Sequence, residues 1–310
     1  MYRAHEATHL ELLVQKLDQA NKLIHSWELK GGMSAQVTGL EILQPTGRIM
    51  RMIVRQHGEN DLKRNPNIAA DEYRLLKILT NEGLPVPTPY YFQQAGGIFT
   101  KSCLLIEYLE GKPDFSPANP ALYIFQLAVH LVKIHRLDYD HLDLSFLPDQ
   151  NESYVKMVQA EKENTDETLN RSLIRNVLKS AQPLPALNKD VILHGDYWPG
   201  NILFINDQLA AVIDWEDAAL GDPLADFANC QLEILFQFGV KAMDDFSDHY
   251  ESMMPGLNMS NLPFWQLYAA LRLSSFPEWG LEKSKENIMR ERHTSFVHQA
   301  LNLIGKRQAP

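Results

Sequence analysis

Cysteine is nearly absent from this chain: two residues in 310, Cys103 and Cys230, far apart in sequence. That excludes a disulfide framework and a cysteine metal cluster, and leaves two buried thiols in a reducing cytoplasm as the expectation. Long apolar runs are missing as well. No uninterrupted stretch approaches the roughly 20 residues needed to span a bilayer. The first ten residues carry Arg3, His5, Glu6 and His9, so no secretory signal is expected there. Positive charge is the minority sign: 29 Lys and Arg against 39 Asp and Glu give a net charge of −10, with no block of like charges. A basic stripe for nucleic acid is therefore lacking, and the acidic balance steers weakly toward cationic partners. Repeats and low-complexity tracts are absent too. These absences describe a cytoplasmic protein with neither a nucleic-acid nor a membrane partner; the oligomeric state is not legible.

What is present is an ordinary globular composition, 45% apolar and 22% charged. A chain of this length exceeds one small core, so two packed lobes are expected. Leu10, Leu12, Leu13, Leu17, Leu23 and Ile24 recur at helical spacing and predict a helix over Thr8–Ile24. Short β-type segments follow at Ser26–Leu29, Val37–Leu43 and Ile49–Val54, separated by Gly31-Gly32 and by Pro45-Thr46-Gly47. A helix is predicted over Ala69–Leu79. Pro85, Pro87 and Pro89 predict a stiff connector, and Cys103–Ile106 a strand that runs into Glu107–Gly111. After the loop Pro113–Pro120 the pattern turns helical: Ala121–His135, Tyr154–Lys179, Leu224–Phe238, Leu262–Ser275 and Glu286–Ile304. Ile202–Ile205 and Ala210–Ile213 read as a hairpin around Asn206-Asp207. The expected division is a β-rich part, residues 1–109, and a helical part, residues 110–310. Such an arrangement places a small-molecule cleft between lobes.

The chemistry concentrates in Val191–Ala228, which reads VILHGDYWPGNILFINDQLAAVIDWEDAALGDPLADFA. It contains His194-Gly195-Asp196, then Asn201, then Asp214. Asp196 and Asn201 stand at the separation of the Asp and Asn in a protein-kinase catalytic loop. Phosphoryl transfer asks for these residue types. Mg²⁺ must bridge crowded phosphate oxygens and prefers hard oxygen ligands; an amide oxygen and a carboxylate, Asn201 and Asp214, suit it. A second carboxylate, Asp196, can orient an acceptor hydroxyl and accept its proton. His194, Trp198 and Trp215 are first of all packing residues. A metal-dependent hydrolase built on His194, Asp196 and Asp214 is the weaker alternative, because the remaining histidines are scattered.

HGDYWPGN followed by IDWEDAALGDPLADFA resembles the aminoglycoside phosphotransferase and choline kinase family. The resemblance implies an α+β, protein-kinase-like fold of two lobes, a small β-rich N-terminal lobe and a larger, mostly helical C-terminal lobe. It implies transfer of the γ-phosphate of ATP or GTP, with Mg²⁺, to a hydroxyl of a small molecule. Asp196 would be the catalytic base, Asn201 and Asp214 the metal ligands, and Asp222 and Asp226 braces of the catalytic loop. Ser34, in Gly31-Gly32-Met33-Ser34, falls where kinases lay a loop over the phosphates. Arg55 stands where a kinase has its phosphate-pairing lysine. That is a departure: arginine keeps the charge but changes reach and geometry. Glu72 would be the helix carboxylate that pairs with it. The Glu107 carbonyl and the Leu109 N–H would bond the purine. Specificity would come from Pro255–Gly280 and the flank of Asp214, where Glu216, Asp217, Trp265 and Trp279 lean toward a cationic amino alcohol or aminosugar. The arginine at position 55 also keeps open an alternative, a nucleotide-binding pseudokinase module without transfer activity.

Overall fold

A computed structural model describes residues 2–29, 35–160 and 167–308. The loop Gly31–Ser34, and Ser34 with it, lies outside the described residues. The chain divides into two compact units, Met1–Gly111 with Ala211–Glu216, and Lys112–Ala210 with Asp217–Pro310. Six later residues, Ala211–Glu216, return to the first unit. They do so because the Val212 N–H donates to the Pro85 carbonyl at 2.8 Å, and because Asp214 and Glu216 are held by an arginine of that unit.

The first unit is α1 (Tyr2–Leu17), β1 (Lys22–Leu29), β2 (Ala35–Leu43), β3 (Ile49–His57), α2 (Glu59–Arg64), α3 (Ile68–Asn81), β4 (Pro89–Gln93) and β5 (Cys103–Glu107). Its five strands form one antiparallel sheet in the order β1-β2-β3-β5-β4. Period-2 alternation sorts the side chains. Leu40, Ile42, Met52, Val54, Cys103 and Leu105 are buried in one cluster with Leu10, Leu13 and Val14 of α1. The alternate positions Gly39, Ile53 and Arg55 belong to the opposite face, where Val37 pairs with Arg55 and Gly39 with Ile53. Trp27 pairs with Gly39, and a Cβ on that glycine would sit 2.3 Å from the Trp27 indole. Helix α1 stops earlier than Ile24. The Asp18 carboxylate accepts the Ala20 N–H at 2.9 Å and its carbonyl accepts the Asn21 N–H at 3.0 Å, a side-chain-assisted turn that puts Leu23 and Ile24 in β1. Pro89 opens β4 rather than extending a connector; an edge strand tolerates the missing N–H.

The second unit contains α4 (Pro120–His135), α5 (Gln150–Gln159), α6 (Arg171–Ser180), β6 (Val191–Leu193), β7 (Ile202–Ile205), β8 (Gln208–Val212, its last two residues in the first unit), β9 (Ala219–Gly221), α7 (Leu224–Phe238), α8 (Val240–Met253), α9 (Leu262–Leu273) and α10 (Lys283–Gln308). Two expectations change here. The helix Tyr154–Lys179 is two helices: Ala160 is extended and Asn170 is left-handed at φ 56°. A further helix, α8, follows Gly239, whose φ of 89° breaks α7 from it. The hairpin β7–β8 turns on Asn206 (φ 48°) and Asp207 (φ 60°), the pair of left-handed residues that a tight hairpin turn needs. The core is aromatic where α7 meets α8, with Phe227 stacked on Tyr250 at 4.4 Å. Trp265 is buried and donates to Asp222 at 3.2 Å, so it belongs to the core and not to a substrate wall.

Candidate active site

In the first unit the chemistry centres on Arg55. It projects from β3, on the face away from the α1 cluster, and is buried. One guanidinium nitrogen donates to Glu72 of α3 at 2.6 Å; another donates to Asp214 and to Glu216, each at 2.5 Å. Glu72 is bonded in turn to His57 at 3.1 Å. Burial works against the charge on Arg55, but Glu72, Asp214 and Glu216 together raise its pKa. Burial likewise works against the Glu72 carboxylate, and Arg55 and His57 reverse that and lower it. An ion pair this deep holds only when its members remain together, since removing one leaves a buried uncompensated charge. Asp214 sits at φ 69°, a left-handed position unusual for a residue with a Cβ. Trp215 anchors it: its indole N–H donates to the Val212 carbonyl at 3.0 Å and the ring is buried, a packing role.

Glu107 ends β5, and its carboxylate accepts the Thr88 N–H at 3.2 Å and hydroxyl at 2.7 Å. Leu109 lies two residues on, outside any strand. The intervening Tyr108 stands edge-on to Trp27, with ring centroids 5.8 Å apart.

In the second unit, β6 delivers the loop His194–Trp198, and the turn Pro199–Asn201 follows. Asp226, in the first turn of α7, accepts the N–H of His194 at 2.7 Å and of Gly195 at 2.9 Å. Burial would raise the Asp226 carboxyl, but the His135 hydrogen bond, with His135 and His194 nearby, keeps it below its usual range. Asp222, just before α7, accepts the Leu224 N–H at 3.0 Å. His194 Nδ1 accepts the Asp196 N–H at 3.2 Å, so this histidine shapes the loop. Gly195 has φ 80°, and a Cβ there would lie 1.9 Å from the Asp217 carbonyl oxygen.

Asn201 Nδ2 donates to the Asp196 carbonyl and to Asp196 Oδ2, both at 3.0 Å. That fixes the amide so that its oxygen is the end turned from Asp196. Arg272, from α9, reaches the same loop. Its Nη2 donates to Asp196 Oδ1 at 2.9 Å and to Asp217 Oδ2 at 3.3 Å; its Nη1 donates to the Gly195 carbonyl and to Asn229 Oδ1. Burial works against this guanidinium, but Asp196 and Asp217 raise its pKa.

Sequence reasoning passed over Arg272. Its one signal is that it is the lone charged residue of the apolar helix LPFWQLYAALRL, and a buried charge needs partners. Glu216 and Asp217, read from the sequence as charge facing a substrate, are both held by arginines. Among the described residues no group of three or more His, Cys, Asp or Glu side chains is arranged to hold a metal ion. The Asn201 amide oxygen in the second unit, and the Asp214 carboxylate in the first, with a third of its side-chain surface exposed (34%), are each hard oxygens of the kind that Mg²⁺ takes.

The family model APH, described as "Phosphotransferase enzyme family", matches residues 34–260. Acyl-CoA dehydrogenase family member 10 of Mus musculus is 26% identical over 228 residues, covering 64% of this chain and 21% of that protein. This chain thus corresponds to only about a fifth of that relative's length. Among solved structures, the GDP and kanamycin complex of APH(2")-IIIa superposes with a TM-score of 0.65 at 14% identity, over 96% of this chain and 97% of that one. Amicoumacin kinase in complex with AMP-PNP, Ca²⁺ and Ami gives a TM-score of 0.65 at 14% identity, over 96% of each chain. At these identities the superpositions establish the fold.

Proposed function

The chain belongs to the phosphotransferase enzyme family; from that premise we propose that it is a small-molecule kinase that moves the γ-phosphate of ATP or GTP to an alcohol hydroxyl, with Asp196 as the residue that receives the hydroxyl proton. One observation supports this reading above the rest: Asn201 Nδ2 bonds Asp196 twice, which orients a carboxylate and an amide oxygen for their two separate tasks. Mg²⁺, when bound, would neutralise charge on the phosphate oxygens, and Asn201 and Asp214 are the residues to hold it. Arg55, supported by Glu72, would pair with phosphate in place of lysine, and Ser34 would contribute a hydroxyl to the phosphate loop. The Glu107 carbonyl and Leu109 N–H would meet the purine. Catalysis in such a site is mostly positioning and electrostatic stabilisation. Binding of GDP or AMP-PNP by proteins of the same fold supports a nucleotide donor.

The acceptor class is an alcohol. The narrower reading, a cationic amino alcohol or aminosugar, draws on the net charge of −10 and on kanamycin as a ligand of a protein of similar fold. It loses the support of Glu216, Asp217 and Trp265, which are occupied elsewhere. The test is Mg-nucleotide turnover against amino alcohols, aminosugars, sugars and hydroxy acids, read as nucleoside diphosphate release, with Asp196→Asn as control. Release that depends on one acceptor class and disappears in the control is expected. Turnover retained by Asp196→Asn would remove Asp196 from the reaction. Tight nucleotide binding without turnover on any acceptor would favour the pseudokinase module.

A further inference from the structure

Arg272 is the only charged residue in α9, and it is half-buried, with 22% of its side-chain surface exposed. All four of its hydrogen bonds go to the catalytic loop or to segments that hold that loop. Nη1 donates to the Gly195 carbonyl and Asn229 Oδ1, while Nη2 donates to Asp196 Oδ1 and Asp217 Oδ2. The Asp196 carboxylate is thereby gripped on both oxygens, Oδ1 by Arg272 and Oδ2 by Asn201. Two donors from different directions fix the plane of a carboxylate, whereas one leaves it free to rotate about its terminal torsion. An ionised carboxylate has about four lone-pair sites, so each oxygen retains capacity for an acceptor hydroxyl.

We propose that Arg272 is a positioning residue for phosphoryl transfer: its guanidinium sets the orientation in which Asp196 meets the acceptor hydroxyl. The proposal rests on the reading of Asp196 given above. Arg272 acts through Asp196 and not on the phosphates. The fork geometry is essential to the argument. A guanidinium presents five N–H groups in a plane and spans four acceptors in three chain segments; a lysine ammonium is a point charge and cannot hold that set at once. Retaining the charge is therefore not enough to retain the alignment.

The experiment compares Arg272→Lys, Arg272→Ala and Asp196→Asn in the full chain, with kcat, nucleotide KM and thermal midpoint for each. Misplacing a reacting group by about 1 Å costs on the order of 100-fold in rate. Arg272→Lys is expected to lose roughly 10- to 100-fold in kcat with nucleotide KM changed less than about 2-fold and little change in midpoint. Millimolar methylguanidinium is expected to return part of the kcat of Arg272→Ala, a recovery that a purely structural role would not show. If the alanine variant does not fold, Asp217→Asn loosens the guanidinium without touching Asp196, and a lowered kcat at unchanged nucleotide KM is again expected. Wild-type kcat in Arg272→Lys or in Asp217→Asn, beside an inactive Asp196→Asn, overturns the role of Arg272 and leaves the reading of Asp196 in place. An active Asp196→Asn overturns both.

Discussion

Glu233 is buried on α7 with one oxygen that meets no protein donor among the described residues. Burial, and then the nearby Asp196, raises its carboxyl from 4.5 to about 8, with Arg272 and Lys285 opposing. The folded chain thus holds this proton more tightly than the unfolded chain does. Its contribution to stability is complete below about pH 4.5 and is lost as pH rises to about 8. Glu233→Gln removes that dependence. Calorimetry is expected to show the variant melting several degrees above the parent at pH 8, with the two converging toward pH 5. An equal offset at both pH values would place the effect elsewhere. Residues of this kind are hidden from sequence reading. Asp196, Asn201 and Asp214 are visible because their spacing along the chain is itself the signal. Glu233 and Arg272 are single residues on helices, and only the packing of α7 and α9 makes neighbours of them.

At the scale of elements, the loop after β6 is set by backbone requirements as much as by side chains. Gly195 combines φ 80° with a Cβ position 1.9 Å from the Asp217 carbonyl oxygen, so no side chain fits. Gly195→Ala is expected to destabilise the second unit by about 2 kcal/mol or more and to abolish turnover by displacing Asp196. Circular dichroism melts with turnover assays check this; a fully active alanine variant would show that the loop accommodates a different path. Longer elements such as β2, β3, α3, α4 and α7 announce themselves by periodicity. The three-residue strands β6 and β9 do not, because a run that short has no period to read, and yet it is their pairing that presents the loop. The end of α1 and the start of α8 depend on Asp18 and Gly239, single residues whose turn chemistry overrides an apolar spacing that would otherwise continue.

At the scale of the whole molecule, composition and motif lead to an expectation of two parts, one rich in strands (1–109) and one in helices (110–310). What the linear order concealed is that membership of a unit is not continuous along the chain. Ala211–Glu216 belongs to the first unit, tied there by the Val212–Pro85 hydrogen bond and by Asp214 and Glu216 on Arg55. In terms of genetic dissection, a cut after Gly111 does not release a complete piece. A fragment of residues 1–111 strips Arg55 of two of its three carboxylates while the guanidinium stays buried, a costly state. Such a fragment is expected to melt without cooperativity, and to regain a sharp transition when residues 211–216 are appended on a flexible linker. Cooperative melting of the bare fragment at the temperature of the intact chain would show those six residues to be dispensable. Deletions, fusions and split-protein complementation in this chain should therefore keep the six residues with the strands they follow by about a hundred positions or more, so that the unit of heredity and the unit of folding are cut along the same line.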